Sequence, residues 1–362
     1  MATQRILVLA EELKRAGVAA MLISPSQELF FLSGYTPMMC ERFQALFVTA
    51  DATSFYICNQ LYYDEIKEAY KEAIPIYSWL DGESMTAVVN QCFQAQQLTG
   101  KTIAVNSTAQ AFNLLDIATD CNVNFVNGLQ IMEEARIIKS ASEIAALKKA
   151  AAITDEAYES ALTFIHSGIR EEEVATFLKS KMAEAGGSNP WAIVAAGANS
   201  SYPHYTGNQR LIEKNDILVM DFGCSVDGLC SDMTRTVFIG SISERQKAIY
   251  EIVLQANQAG EKAAVPGAYI PDVDKAARSI IEEAGYGANF FTRLGHGIGY
   301  MIHEAPDIKK SNKRELKAGM AFSIEPGIYF AGDFGIRIED IVLVTDQGNE
   351  VLNKAKKEIV IL

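Results

Sequence analysis

The residues best suited to chemistry are carboxylates set where strands should be. Asp221 and Asp232 stand 11 residues apart at the two ends of DFGCSVDGLCSD. Both lie in apolar, β-prone sequence, where an ionised carboxylate is costly unless a partner cancels its charge. The stretches 216–223 and 229–240 read as strands, and the turn-forming Val226-Asp227-Gly228 between them predicts an antiparallel pair. Folding back in this way brings Asp221 and Asp232 to nearby positions on one face. Alone, the stretch suits either two solvated acids or metal and acid–base chemistry; the neighbours Val219, Met220 and Phe222 argue against a solvated face.

The chain has four histidines, His166, His204, His296 and His303. His166 ends a helical pattern and reads as structural. His296 sits in GHGIGY, which misses the G-x-G-x-x-G spacing of a dinucleotide loop. Glycines there let other groups crowd close to a functional imidazole. His303 follows in IHEAP, and His204 lies in the loop SYPHYTG after the strand-like WAIVAAG. Two further acids, Glu325 in FSIEPGIYF and Glu339 in GIRIEDIVLV, also interrupt strand-like apolar runs. Carboxylates with imidazole are a ligand set for Mn, Co, Zn or Fe(II), and an all-cysteine zinc site is excluded. Four carboxylates and one neutral histidine carry four negative charges. Two divalent ions balance them, which favours a dinuclear site.

These residues need a scaffold, and 362 residues suit two domains. Hydrophobic residues make up 49%, enough for a large core. Residues 1–127 alternate strand patterns (18–23, 45–50, 54–58, 101–106, 122–127) with helical ones (1–17, 64–73), which predicts a small α/β domain with a mixed sheet. The boundary is expected at Asn127-Gly128. Residues 128–362 then form an α+β domain, with helices over 140–165, 170–186, 243–264 and 272–285 covering a mostly antiparallel sheet. Ser140 and Glu143 have capping-box spacing. The net charge of −13, from 45 acids and 32 bases, disfavours nucleic acid and anionic membranes as partners. The N-terminus is not a signal peptide and no apolar run reaches membrane length, so a cytoplasmic location is expected. The six cysteines are scattered and read as reduced core thiols, Cys224 and Cys230 included.

The ordered motifs AGANSSYPHY, DFG…SDMTRT, GHGIG…HEAP, EPGIY and GIRIED, from about Arg136-Ile137-Ile138-Lys139 onward, resemble the pita-bread metallopeptidases, the prolidase and Xaa-Pro aminopeptidase family. The N-terminal third resembles their smaller creatinase-like domain, and the length resembles the short prokaryotic dipeptidases. The resemblance implies five metal ligands: Asp221, Asp232, His296, Glu325 and Glu339, with Asp232 and Glu339 bridging two ions. Manganese is the first expectation, with cobalt or zinc also compatible. It implies catalytic or substrate-contacting roles for His204, His303 and Arg337, a supporting position for Thr234, and a substrate-carboxylate contact for Arg293. The implied reaction is hydrolysis of Xaa-Pro dipeptides by a metal-bridging hydroxide, with Glu325 moving a proton to the leaving nitrogen. An Xaa-Pro aminopeptidase acting on longer Xaa-Pro-Yaa peptides is the alternative, and a metal-free binding protein on the same fold is a third reading. A homodimer is expected, with the apolar segment SGYTPMMCERF (33–43) reaching toward a neighbouring site.

Overall fold

The computed structural model describes residues 2–71, 73–207 and 209–362. They form two compact units, one ending at Arg136 and the other spanning Ile137–Leu362. The division falls after Arg136 rather than at Asn127-Gly128, because Leu129–Arg136 forms one more helix, packed on the first helix, Ala2–Ala16. The helix expected over 64–73 is observed at Tyr63–Tyr70; residues 1 and 72, which the expected helices include, lie outside the described residues.

The first unit is built on β1 (Ala20–Ile23), β2 (Ala45–Thr49), β3 (Ser54–Asn59), β4 (Ile76–Trp79), β5 (Thr102–Val105) and β6 (Asn124–Asn127), in the sheet order β4-β3-β2-β1-β5-β6. Only the β1–β2 and β2–β3 pairs are antiparallel, so the sheet is mixed, as the alternation of patterns predicts. Its core includes Phe47, stacked on Phe55 at 4.9 Å and edge-on to Phe93 at 5.4 Å. The helix Gln27–Ser33 ends at Gly34, and the following loop leaves Met38 and Met39 exposed.

In the second unit, helices occupy Ala141–Phe164, Glu171–Glu184, Glu244–Ala263 and Ile270–Glu283. The capping box at Ser140 and Glu143 is formed. The strands are β7 (Ser188–Ala196), β8 (Ile217–Val226), β9 (Leu229–Cys230), β10 (Met233–Phe238), β11 (Gly295–Gly297), β12 (Glu304–Ile308), β13 (Ala321–Ile324), β14 (Gly327–Phe330), β15 (Phe334–Arg337), β16 (Asp340–Thr345) and β17 (Gly348–Val351). They are antiparallel but do not make one sheet. Among the described residues they divide into β10-β8-β7 with β9 on β8, the five-stranded β12-β11-β13-β16-β17, and the pair β14-β15. Phe322, Ile324, Ile338 and Val342 share one apolar core with Ile249, Val253 and Ala256 of the helix Glu244–Ala263.

Two long hairpins account for this division. In the first, Val226 opposes Leu229 and Asp221 opposes Thr234, so one register runs through β8, β9 and β10. Asp227 (φ 49°) and Gly228 (φ 83°) make the two-residue turn, whose positive φ angles match strand twist. In the second, Ile324 opposes Asp340 and Gly327 opposes Arg337, again one register. Pro326, which has no N–H to donate, interrupts it, and β14-β15 leaves the larger sheet at that point. An isolated bridge from Thr234 to Glu339 ties the hairpins together. No helix among the described residues is long and apolar enough to cross a membrane.

β11 is wedged between β12 and β13. A Cβ on Gly295 would lie 1.8 Å from Ser323 O, and one on Gly297 would lie 2.1 Å from Ala305 O. Gly295→Ala is therefore expected to lower the unfolding free energy by about 1–3 kcal/mol, the usual cost of overpacking. An unchanged urea midpoint would contradict this strand packing.

Candidate metal centre

The two hairpins deliver the four acids. Asp221 lies within β8, and Asp232 lies in the unpaired step between β9 and β10. Continued register places Asp232 opposite Gly223, so the two aspartates are diagonal neighbours on one face. Glu325 and Glu339 face each other where Pro326 breaks the second hairpin. Three of the four acids thus sit at breaks between strands, and the backbone stays tied there, Glu339 N donating to Thr234 O and Glu325 N to Leu294 O. His296 enters from β11.

The groups converge tightly. His296 Nε2 lies 3.3 Å from Glu325 Oε1, 3.6 Å from Asp232 Oδ2 and 3.9 Å from Glu339 Oε1. Ligand atoms of Asp232, His296 and Glu339 all lie within 4.8 Å of one another. Asp221 Oδ1, Asp232 Oδ1 and Glu339 Oε1 are buried without a hydrogen-bond partner. Orphaned buried oxygens are rare in native proteins and point to an ion. His296 Nδ1 lies 3.2 Å from Gly297 O; a proton held there leaves the Nε2 lone pair facing the acids. Oxygens and one imidazole nitrogen suit hard to borderline divalent cations, so the residues fit a metal.

Electrostatics agree. Burial, and then the charge of Glu339 and Asp221, pushes the Asp232 carboxyl well above its usual range. Burial and then Glu325 do the same to Glu339. Burial raises Glu325 to about 7 against the pull of Arg337. His296 is pushed down to about 3, mainly by burial and then by His303. Its carboxylate neighbours would favour a charged ring, but without cations they hold protons themselves, so burial governs. Compensating cations reverse this pattern for the acids.

A supporting layer orients these side chains. Arg337 donates to Asp221 Oδ2 (2.6 Å), Thr234 Oγ1 (2.9 Å), Tyr329 OH (2.8 Å) and Pro203 O (3.1 Å). Thr234 in turn donates to Glu339 Oε2 at 2.6 Å. Strand alternation turns Arg235 and Asp340 to the opposite side, where the buried Arg235 donates to Glu339 O (2.7 Å) and Asp340 Oδ1 (2.6 Å). The sequence reading missed Tyr329 and Arg235, since an aromatic or a basic residue within a strand pattern carries no mark of what it bonds.

A cleft of about 530 Å³ opens onto the acids; Trp191, Ile193 and Ile302 line it, with His204 and His303. The rings of His204 and His303 are stacked at 6.2 Å, and His303 meets His296 edge-on at 4.3 Å. Arg293 pairs with Asp307 at 2.5 Å and is not among the lining residues, yet its charge acts on His303, His296 and Glu325. The basic side chain that lines the cleft is Lys179, half-buried, with no ion-pair partner among the described residues. The six cysteines are unpaired.

This fold and site define a metallopeptidase. Residues 145–346 match the model of metallopeptidase family M24, and residues 5–138 match the creatinase/prolidase N-terminal domain. The chain belongs to family M24. It is 31% identical to the Xaa-Pro dipeptidase of Pyrococcus horikoshii over 361 residues, covering 99% of each chain. Its structure is similar to that of dipeptidase PepE from Mycobacterium ulcerans (TM-score 0.94, 33% identity, covering 99% of this chain and 97% of the other). It is also similar to a recombinant prolidase from Thermococcus sibiricus (TM-score 0.93, 32% identity, covering 100% and 99%). The fold is accordingly the pita-bread fold preceded by a creatinase-like domain.

Because Asp232, Glu325 and Glu339 hold protons when no cation is present, metal binding must displace them. Affinity for a divalent ion is expected to rise with pH through about 7, to which burial pushes the Glu325 carboxyl, and further as Asp232 and Glu339, also pushed up, give up their protons. Calorimetry in buffers of different ionisation enthalpy measures the release; no proton release at pH 6 would contradict the buried-acid cluster.

Proposed function

We propose that the protein is an Xaa-Pro dipeptidase whose centre holds two divalent ions, manganese first among them, on Asp221, Asp232, His296, Glu325 and Glu339. The observation that carries this reading is the convergence of Asp232, Glu325 and Glu339 oxygens on His296 Nε2, with orphaned oxygens on Asp221, Asp232 and Glu339 in the same cleft lining. Bound ions would supply a water that loses its proton near neutral pH and a Lewis acid for the scissile carbonyl.

The chain's own residues do the rest. His204 and His303 face the cleft, where an imidazole N–H can donate to the carbonyl oxygen as negative charge develops on it. Glu325, which lines the cleft beside His296 Nε2, is placed to take a proton and deliver it to the leaving nitrogen. That nitrogen belongs to proline and offers no N–H, so the ring must be selected by shape, and Trp191, Ile193 and Ile302 provide an apolar wall. Arg337 holds Asp221 and, through Thr234, the Glu339 carboxylate in place. The substrate's free carboxylate would meet Lys179 in preference to Arg293, whose charge Asp307 already takes.

The deciding assay uses metal-stripped protein with Mn, Co or Zn restored, on Ala-Pro, Leu-Pro and Leu-Pro-Ala. Activity on the dipeptides alone is expected; faster cleavage of the tripeptide would mark an Xaa-Pro aminopeptidase, and full activity without metal would sink the mechanism. His296→Ala should abolish turnover and weaken metal binding while leaving the far-UV spectrum unchanged. Lys179→Met should raise KM for Leu-Pro roughly tenfold, the worth of one charge-assisted hydrogen bond, and change KM little for Leu-Pro-amide. A larger effect of Arg293→Ala would return the carboxylate contact to Arg293.

A further inference from the structure

One charged pair in the catalytic unit has no part in the site as described. Lys139 Nζ lies 2.5 Å from Glu304 Oε1, and both side chains are only 1% exposed. Apolar side chains of similar volume commonly match or exceed a buried ion pair in stability. Stability is therefore a weak reason for this one, and its surroundings suggest another.

Glu304 directly follows His303. Its second carboxylate oxygen accepts from Met301 N at 3.3 Å, closing the backbone on either side of the histidine. Gly299 lies against the pair: a Cβ there would be 2.4 Å from Glu304 Oε1 and 2.9 Å from Lys139 Cε. The third glycine of GHGIG thus admits the ion pair beneath the loop. Gly299 also donates to Met301 O at 3.1 Å and accepts from Cys230 N at 2.7 Å, two residues before Asp232. Lys139 is anchored in turn, its N–H donating to Gly319 O at 2.8 Å immediately before the capped start of the helix Ala141–Phe164. A chain of short contacts therefore runs from a helix N-terminus, through the charge pair, to the turn that carries His303.

We infer that Lys139 and Glu304 are positioning residues that set the His303 imidazole in the cleft, against His296 and His204. The inference rests on the proposed role of His303 in peptide hydrolysis. Neither residue lines the cleft itself, and Glu304 meets it through its neighbour His303, so the pair acts through the loop. Either single neutral substitution strands a buried charge, whereas Lys139→Met with Glu304→Gln removes both charges at nearly constant volume. Lys139→Arg keeps the charge but changes the head group, and serves if the double variant does not fold.

The metal-loaded variants should keep the wild-type metal content and lose roughly tenfold to a hundredfold in kcat on Leu-Pro, as misplaced catalytic groups do. In a His303→Ala background the same substitutions should cost nothing further, because groups acting through one side chain are not additive. With four histidines in the chain, each imidazole proton resonance of the zinc-loaded protein can be assigned by single substitution. The His303 signal should move and the His166 signal should not. An equal loss in both backgrounds, or an unmoved His303 signal, overturns the inference. His303→Ala with wild-type kcat overturns both it and the role given to His303. Wild-type protein that cleaves no Xaa-Pro peptide removes only the functional reading, and the resonance then decides the positioning.

Discussion

The structure depends on mutual repulsion among buried carboxylates. Asp232, Glu325 and Glu339 gather around one imidazole that burial keeps neutral, Asp221 lines the same cleft, and among the described residues only Asp221 has a cation, Arg337, bonded directly to it. Left alone, the cluster keeps protons that such groups ordinarily shed, as the raised Asp232, Glu325 and Glu339 show. A protein that maintains such an arrangement needs cations to occupy it and a backbone stiff enough to hold the acids together until they do.

The stiffness comes from register. Each hairpin keeps one alignment across an interruption, Ser231-Asp232 in one and Glu325-Pro326 in the other. The ladder on both sides fixes the interrupted residues while freeing their side chains to point inward. The Thr234–Glu339 bridge then locks one hairpin to the other. Behind the strands, the same alternation that sends Thr234 and Glu339 to the site sends Arg235 and Asp340 to a second ion pair. Lys357, from the C-terminal segment, joins it, 2.8 Å from Asp340 Oδ2 and 2.5 Å from Glu261 Oε1. The acid-bearing strands are thus held from both faces.

Much of this was legible before the structure. Asp221 and Asp232 were recognisable because a carboxylate in an apolar strand pattern violates the ordinary cost of burial, and the Asp-Gly turn announced their pairing. The glycines around His296 predicted crowding, and Ser323 O and Ala305 O supply it. Other features were not legible. The separation of β14-β15 from the five-stranded sheet follows from one proline in a continuous register, and the local pattern on either side of Pro326 reads simply as strand. The domain end at Arg136 was missed because Leu129–Arg136 is a short helix whose packing on Ala2–Ala16 involves residues far apart in the chain.

The sequence by itself marked the candidate ligand types and their order, because a residue's chemistry and the cost of burying it are local properties, and the resemblance of its ordered motifs to a known family implied the reaction class. The tertiary structure decided which charges are free to act. Arg293 and Lys179 look alike as isolated basic residues; only the fold puts Asp307 beside the first and leaves the second facing the cleft. Lys139 and Glu304 stand 165 positions apart and meet only in the folded chain. Pairing between distant charges is set by the backbone path between them, and no local pattern encodes that path.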